Sequence, residues 1–438
     1  MNLFKISWKY LTFRPLSTGL NIFLLALGLA IITVLLLIQD QFEKKMNQDA
    51  AGIDLVVGAK GSPLQLILSS VYHIDFPTGN IKMEEAKRLG QNRLVKKVIP
   101  LALGDNVQGF RIVGTNHDYL ELYGAEFTEG KAWEEPFQVA LGSEIARKLN
   151  LKIGDEFAGS HGISVGSHDH DQHNFVVTGI LAPKGNVVDR LVLTSIESVW
   201  YTHDEEEAGE TEESEETVES EEEELVSDST LVDQVEESHH DKFHAPVAKT
   251  GFPDSDQERE VTTLLLQFRN PMAAIQLPRM INSGTSMQAA SPSFEMSRLF
   301  ELLGVGISLL QGLAIVLIVI AGLGIFIALY NSLKERKYDL AILRALGASR
   351  MQLVILVFLE GILLTFLGAV IGIALGHSFL ALVVSQSEQT VVSALQPWTF
   401  LPQELWIVGY ALAVGVIASL IPAWSAYQTS IAKQLTKA

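Results

Sequence analysis

Long apolar runs stand near both ends of the chain, and a region of ordinary polar composition separates them. The first run covers residues 20–38 and contains no charged residue. Three further runs cover residues 305–330, 353–384 and 405–426. A helix rises about 1.5 Å per residue, so each run is long enough to cross a hydrocarbon core of about 30 Å. The pattern predicts four transmembrane helices.

The residues around the first run favour a membrane helix over a cleaved signal peptide. A cleavage site needs small residues after the apolar stretch, whereas the sequence QDQF follows at residues 39–42. Before the run, residues 1–19 mix large apolar side chains with lysine and arginine. This mixture is typical of a basic amphipathic helix at the membrane surface, with a disordered basic flank as the alternative.

Basic residues mark three short segments and thereby predict the orientation of the chain. They precede the first span, join the second span to the third, and follow the fourth: Lys5, Lys9, Arg14, Lys334, Arg336, Lys337, Arg344, Arg350, Lys433 and Lys437. Lysine and arginine are enriched in cytoplasmic loops, so these segments, including the tail at 427–438, should be cytoplasmic. Residues 39–304 should then lie outside, in the periplasm.

The composition of residues 39–304 predicts a folded domain that carries one acidic insert. Apolar runs rich in β-branched residues alternate with helical patterns, which indicates a compact α+β domain with a stalk. Residues 204–240 are instead low in complexity and dominated by glutamate, so we expect them to be disordered. The expected fold class is a membrane protein with four transmembrane α-helices and a large α+β extracytoplasmic domain inserted between helices 1 and 2.

Charge and cysteine content exclude several classes of function. The formal net charge is −19, which argues against nucleic acid as a partner because phosphate neutralisation needs an excess of lysine and arginine. The chain contains no cysteine, so disulfides, thiolate metal sites and thiol nucleophiles are excluded.

The segment between the second and third spans carries the most informative pattern. From Lys334 to Leu346, charged residues are mixed with leucine and isoleucine, and Gly347 stands where a helix would end. We therefore predict a cytoplasmic coupling helix within residues 331–352 that docks into a groove of a motor protein. The alternative is a solvated, positively charged loop without a partner.

The same segment resembles the FtsX/MacB-like permease family. The resemblance rests on a spaced pattern of charged, small and apolar residues that runs into the third span: Glu335, Arg336, Asp339, Ile342, Arg344, Ala345, Leu346, Gly347, Ala348 and Glu360. It extends to the basic N-terminal helix, to much of the extracytoplasmic segment and to the end of the chain, but not to the acidic insert.

The resemblance implies a permease of the bacterial inner membrane that works with a separate cytoplasmic ABC ATPase. Members usually act as dimers, so the chain should form a homodimer or pair with a second permease. The family implies mechanotransmission, in which ATP-driven motion reaches the periplasmic domain. Lipids, lipoproteins, peptides and drugs are candidate substrates, and a periplasmic partner protein is a further candidate. Five residues are candidates for ATPase coupling: Glu335, Arg336, Asp339, Arg344 and Gly347.

No catalytic residue is predicted in this chain. The stretch GAEFTEGKA at residues 124–132 has five residues between its glycines and Ala132 where a phosphate loop needs serine or threonine. It is not a phosphate loop, so ATP should be bound by the partner and no cofactor by this chain. No nucleophile, base and orienting group can be assembled either, so we expect a non-catalytic transporter subunit.

A histidine-rich stretch supports the alternative function, a metal-responsive or metal-handling transporter. Imidazole and carboxylate groups on one segment could hold Zn²⁺: His161, His168, Asp169, His170, Asp171 and His173. A solvated polar loop is the bland alternative, and Glu360 and His377 are the only obvious ionisable residues for an ion pathway in the spans. A membrane-anchored structural or adhesion protein is a third hypothesis, but it leaves the coupling helix unexplained.

Glycine recurs every fourth residue in the third span, at Gly368, Gly372 and Gly376. Residues four apart share one helix face, so these positions form a ridge without side chains that another helix can approach closely. We predict that this ridge is a helix-packing surface.

Overall fold

The computed structural model describes residues 3–13, 15–161, 169–202, 247–254, 258–387 and 395–428. They form two compact units. We call residues 1–44 and 300–438 the membrane unit and residues 45–299 the domain unit. The acidic insert at 204–240 lies outside the described residues.

The labelled helices, in chain order, are α1 Leu3–Phe13, α2 Pro15–Asp49, α3 Pro63–Ser70, α4 Met83–Gly90, α5 Asp118–Tyr123, α6 Ser143–Leu149, α7 Ala273–Gly284, α8 Pro292–Glu335, α9 Lys337–Ala345, α10 Arg350–Gln386 and α11 Glu404–Tyr427. The strands are β1 Leu55–Ala59, β2 Ile81–Lys82, β3 Val95–Val107, β4 Phe110–Gly114, β5 Phe127–Gly130, β6 Gln138–Leu141, β7 Glu156–His161, β8 Asp169–Leu181, β9 Val192–Thr194, β10 Glu260–Val261, β11 Thr263–Phe268 and β12 Met287–Ala290. Residues 196–202 are also helical.

Four helices are long and apolar enough to cross a membrane: α2, α8, α10 and α11. Two of them extend well beyond the predicted spans. α2 continues from residue 38 to Asp49 through the polar sequence QDQFEKKMNQD, whose glutamine, glutamate and lysine residues favour helix. α8 begins at Pro292, before the predicted start at 305, because proline suits the first helical position.

The core of the membrane unit is apolar and is shared by α1, α2, α8, α10 and α11: Leu11, Leu25, Leu29, Ala321, Ile325, Leu329, Leu364, Ala369, Ile407, Ala411 and Ala418. α10 and α11 approach each other at paired glycines. A Cβ atom on Gly361 would lie 2.9 Å from the carbonyl oxygen of Gly415, so neither position has room for a larger residue.

The domain unit is built on a mixed sheet of ten strands. Its order is β12-β1-β11-β3-β4-β9-β6-β8-β5, with β7 pairing to β3 and β8. β4 runs parallel to β9 and β6 runs parallel to β8, while the other pairs in this sheet are antiparallel. A short pair, β10 with β2, lies apart from it. The predicted transitions from strand to helix are present as β6 followed by α6 and β11 followed by α7.

Two apolar clusters form the core of the domain unit. One includes Leu55, Val57, Leu264, Leu266, Leu277 and Ile281 from β1, β11 and α7. The other includes Ile112, Val139, Leu141, Phe175, Val177 and Val192 from β4, β6, β8 and β9. The strands β1, β4 and β9 are buried along nearly their whole length, so their sequences are nearly continuous apolar runs and do not alternate with polar residues.

Candidate functional site

The predicted coupling helix is present as α9, which is shorter than the predicted segment 331–352. α8 ends at Glu335 and α9 begins after Arg336. At its end, the amide of Ala348 donates to the carbonyl of Leu343 at 3.0 Å and the amide of Gly347 donates to the carbonyl of Arg344 at 3.1 Å. These two bonds are a Schellman motif, which needs the φ of +102° that Gly347 adopts. Gly347 therefore fixes where the coupling helix stops.

α9 has one buried face and one exposed apolar stripe. Leu340 and Ala341 are buried, and Leu340 belongs to a small core with residues of α8, α10 and α11. Tyr338, Ile342 and Leu346 are spaced four residues apart and are exposed, and Leu346 has 80% of its surface accessible. Because residues four apart share a face, these three side chains form one continuous stripe, which we call the α9 stripe.

Arg336 is directed into the membrane unit. Its Nη2 donates to Glu360 Oε1 at 3.0 Å, and its Nε donates to the carbonyl of Ser332 at 3.3 Å. The guanidinium carbon lies 3.9 Å from the ring centre of Tyr10, a cation–π contact. Burial raises the pKa of the Tyr10 hydroxyl, although the nearby Arg336 acts in the opposite direction. Arg336 thus ties the start of α9 to α1 and α10.

The other predicted coupling residues lie along or beside α9. Asp339 is exposed in its first turn and Arg344 stands in its last turn. These positions match the helix dipole, since an acidic residue suits the N-terminus and a basic residue the C-terminus. Glu335 is the last residue of α8. All five predicted coupling residues therefore lie on α9 or directly beside it. The sequence prediction did not include the α9 stripe, although its residues recur at every fourth position.

The glycine ridge of α10 lies against α2. Cβ atoms added at Gly368, Gly372 and Gly376 would lie 2.7 Å from Leu25 Cδ2, 2.8 Å from the carbonyl oxygen of Ala26 and 2.8 Å from Thr33 Cβ, respectively. Such distances leave no space for any side chain, so α2 and α10 can approach this closely only because these residues are glycine.

His377 is buried and bonded at both ring nitrogens. Its Nδ1 is 2.6 Å from the carbonyl oxygen of Pro397, and its Nε2 is 3.1 Å from Glu404 Oε2. The second carboxylate oxygen of Glu404 accepts from the amide of Leu401 at 3.0 Å. His377 and Glu360, which the metal hypothesis invokes as a candidate ion pathway, each have a partner within the chain.

The predicted metal ligands lie in and between two paired strands. His161 is the last residue of β7, and Asp169, His170, Asp171 and His173 belong to β8. The main chain of Ser160 pairs with that of Asp169. His168 lies outside the described residues. Within the described part of the chain no cluster of three or more metal-ligating side chains occurs, and the zinc site stays a prediction.

One histidine of the domain unit has an unusual environment. His73 is buried, its Nε2 lies 3.2 Å from the hydroxyl of Tyr119, and its φ of +55° is rare for a residue other than glycine. Burial, followed by the positive charges of Arg190 and Arg111, lowers the pKa of His73 to about 3. The imidazole is therefore neutral at physiological pH.

Family models match most of the chain. The FtsX-like permease C-terminal region matches residues 312–431, and the MacB-like periplasmic core domain matches residues 18–237. The pyoverdine export ATP-binding/permease protein PvdT of Pseudomonas putida KT2440 is 22% identical over 444 residues, covering 98% of this chain and 59% of that protein. The uncharacterized ABC transporter permease YknZ of Bacillus subtilis 168 is 31% identical over 121 residues, covering 27% of this chain and 26% of that protein. The chain thus spans less than two thirds of each relative.

Solved structures give weaker matches. The periplasmic region of MacB from Actinobacillus actinomycetemcomitans has a TM-score of 0.32 and 12% identity, covering 58% of this chain and 97% of that one. The extracellular domain of the YknZ transporter from Gram-positive bacteria has a TM-score of 0.27 and 11% identity, covering 55% and 99%. The periplasmic model covers half of this chain and the permease model covers its C-terminal helices, and the chain belongs to the FtsX/MacB-like family of ABC transporter permeases.

Proposed function

We propose that this chain is the non-catalytic permease subunit of an inner-membrane ABC transporter and that a separate cytoplasmic ATPase docks on the α9 stripe. ATP-driven motion of the membrane unit would then move the domain unit in the periplasm. The observation that carries the proposal is the exposure of Tyr338, Ile342 and Leu346 on one face of α9.

The construction of α9 suits a docking element. Its buried face and the bonds of Arg336 hold it to the membrane unit, so a push on α9 would reach α10 and α1. Its other face offers a row of large apolar side chains, which a groove on a partner could bury at about 25 cal/mol per Å². Helices that lay an apolar face into a groove are recognised through residues spaced in this way.

The test is a binding experiment with a matched control. Ile342→Glu and Leu346→Glu together place two charges on the α9 stripe without touching its buried face, whereas Leu346→Met keeps the stripe apolar. We expect the tagged wild type and Leu346→Met to copurify in mild detergent with an ATPase that carries a phosphate loop, and the double variant to lose it. Equal recovery of the ATPase with the double variant would refute docking at this surface.

A second surface supports the proposal that two permeases pair. On α8, Gly304, Ser308 and Gly312 are spaced four residues apart, and nothing lies within 4 Å of a Cβ atom added at either glycine. Since the chain has no cysteine, Ser308→Cys provides a clean cross-linking probe, with Leu310→Cys on the opposite helix face as its control. Pairing through this ridge predicts a disulfide-linked dimer for Ser308→Cys only. Equal cross-linking of both variants would refute it.

The cargo is proposed only as a class. PvdT is named for pyoverdine export, and this chain matches 59% of its length. We propose export or extraction of an amphipathic substrate, drawn from lipids, lipoproteins, peptides or drugs. A substrate of the correct class should stimulate ATP hydrolysis by the reconstituted complex, and a panel of all four classes without effect would contradict the proposal.

A further inference from the structure

The chain passes between its two units inside two helices, α2 and α8, and these helices are built differently. If motion travels from the membrane unit to the domain unit, as the proposed function requires, it must pass along one or both. The contacts within the domain unit and the composition of each helix distinguish them.

The end of α2 is fastened to the domain unit by polar contacts. Asp49, its last residue, is fully buried, and its Oδ2 accepts from Arg190 Nη2 at 3.0 Å. The hydroxyl of Tyr123 donates to the carbonyl of Asp49 at 2.8 Å, and the hydroxyl of Tyr72 donates to the carbonyl of Met46 at 3.2 Å. The last four carbonyls of a helix have no partner within it, so the phenol of Tyr123 satisfies the carbonyl of Asp49. The carbonyl of Met46 also accepts from the amide of Ala50 at 3.1 Å, so Tyr72 adds a second bond there.

A further bond joins the same turn of α2 to another loop. Lys45 Nζ donates to the carbonyl of Gly185 at 2.7 Å, and Gly185 stands five residues before Arg190. The turn is thereby held by three separate parts of the domain unit: the residues after α3, the end of α5, and the loop between β8 and β9. Tilting or turning the end of α2 would break several of these bonds at once.

At the start of α8, Glu295 and Met296 are buried, but the described residues show no comparable set of polar contacts there. Among the described residues, the side-chain hydrogen bonds of residues 291–299 stay within that segment, as in Ser297 Oγ to the carbonyl of Ser293 at 2.8 Å. α8 then contains Gly304, Gly306 and Gly312, and nothing lies within 4 Å of a Cβ atom added at any of them. Glycine weakens a helix, whereas α2 contains neither glycine nor proline from Ala30 to Asp49.

We propose that α2 is the helix that drives the domain unit, with Asp49 and Arg190 as its positioning pair, and that α8 is a compliant tether. The long helix before the second span invites the opposite assignment from sequence, because it leads directly into the membrane. Its glycines, and the small number of polar contacts that the described residues make at its start, make it the poorer lever. This proposal rests on the proposed function. It adds that the movement reaches the domain unit through α2 and not through α8.

The experiment measures movement of the domain unit directly. Lys152→Cys in the domain unit and Gln386→Cys in the membrane unit provide two label sites in a chain without cysteine. The full chain, reconstituted with its ATPase, is examined by pulsed spin-label distances without nucleotide and trapped with ATP and vanadate. A nucleotide-dependent change in the distance distribution of the labelled parent is the reference signal.

Two pairs of variants then separate the connections. In α2, Glu43→Gly with Asn47→Gly softens the helix at exposed positions; in α8, Arg298→Gly with Glu301→Gly is the matched change. The proposal predicts that the α2 variant loses the distance change while ATP hydrolysis continues, and that the α8 variant keeps it. Loss in the α8 variant alone, or retention in both, would overturn the proposal.

A third comparison tests the positioning pair. Asp49→Asn with Arg190→Gln removes the ion pair without leaving either of its charges unpaired, whereas Arg190→Lys retains the positive charge. We expect the double variant to lose most of the distance change and Arg190→Lys to keep more of it, at unchanged ATPase binding. A full change in the double variant would refute the role of the pair. If the labelled parent shows no nucleotide-dependent change, the proposed function itself fails and this inference with it.

Discussion

The ion pair between Arg336 and Glu360 offers the sharpest energetic prediction. Its atoms lie 3.0 Å apart, and the side chains are 19% and 8% exposed. Removing one partner of a buried pair costs about 3–5 kcal/mol, because the other charge stays buried without compensation. A cavity of about 250 Å³ lies beside the pair and could admit water, and Glu360→Gln keeps a hydrogen-bond acceptor. We therefore expect a cost of about 2–3 kcal/mol for this variant.

A double-mutant cycle separates the pair from its surroundings. Arg336→Gln also removes the cation–π contact with Tyr10, worth about 0.5–2 kcal/mol, so it should cost at least as much as Glu360→Gln. The double variant removes both charges of the pair, so no buried charge is left without a partner. Its cost should fall below the sum of the single variants by about 0.5–3 kcal/mol, the range found for directly interacting partners.

Hydrogen exchange of the full chain in detergent is the appropriate assay. The amides of Leu340 to Ala348 report the opening of α9, whose first residue follows Arg336 directly. Exchange in the domain unit serves as an internal control and should not change. The reasoning is refuted if Glu360→Gln alters the opening free energy of α9 by less than about 0.5 kcal/mol, or if the two single changes are additive.

Three further predictions follow from other buried groups. The pKa of His73 is about 3 in the folded chain and about 6.5 for an unperturbed histidine, so the unfolded chain binds the proton first as the pH falls. The domain unit should therefore lose about 2 kcal/mol of stability between pH 7 and pH 5, and His73→Asn should lessen this loss in exchange measurements. Gly372→Ala should cost about 1–3 kcal/mol in thermal unfolding, whereas Gly409→Ala, with nothing within 4 Å, should cost nothing. Glu404→Ala should destabilise by about 1–3 kcal/mol more than Glu404→Gln, whose amide can donate to His377, and equal losses would contradict this bonding.

The four membrane helices could be predicted from sequence because a membrane span must be both long and apolar. The extension of α8 before its span was predicted as a helical stalk, but the end of α2 was not, since a helix may continue past the apolar run when the polar residues that follow also favour helix. The start of β8 was likewise not evident from the sequence. Its first residues lack the β-branched character that marks strands, yet they pair with β7.

The candidate site was predicted as a segment but not as an arrangement of side chains. Arg336 and Glu360 both belong to the recognised pattern, but a separation of 24 residues does not show that one bonds to the other. The pair of Asp49 and Arg190 is separated by 141 residues and follows only from the fold of the domain unit. The α9 stripe has a sequence signal in the four-residue spacing of Tyr338, Ile342 and Leu346, but that spacing alone does not show which face of the helix is exposed.

ATP hydrolysis by the reconstituted complex reports whether the ATPase docks on the α9 stripe. The chain and its copurified ATPase would be assayed in lipid vesicles against the ATPase alone, with Ile342→Glu plus Leu346→Glu as the docking variant and Leu346→Met as its control. The account predicts that the wild-type chain and Leu346→Met change the turnover of the ATPase and that the docking variant leaves it as it is alone. Two results would contradict it: the same ATPase turnover with and without the wild-type chain, or the same change of turnover with the docking variant as with the wild-type chain.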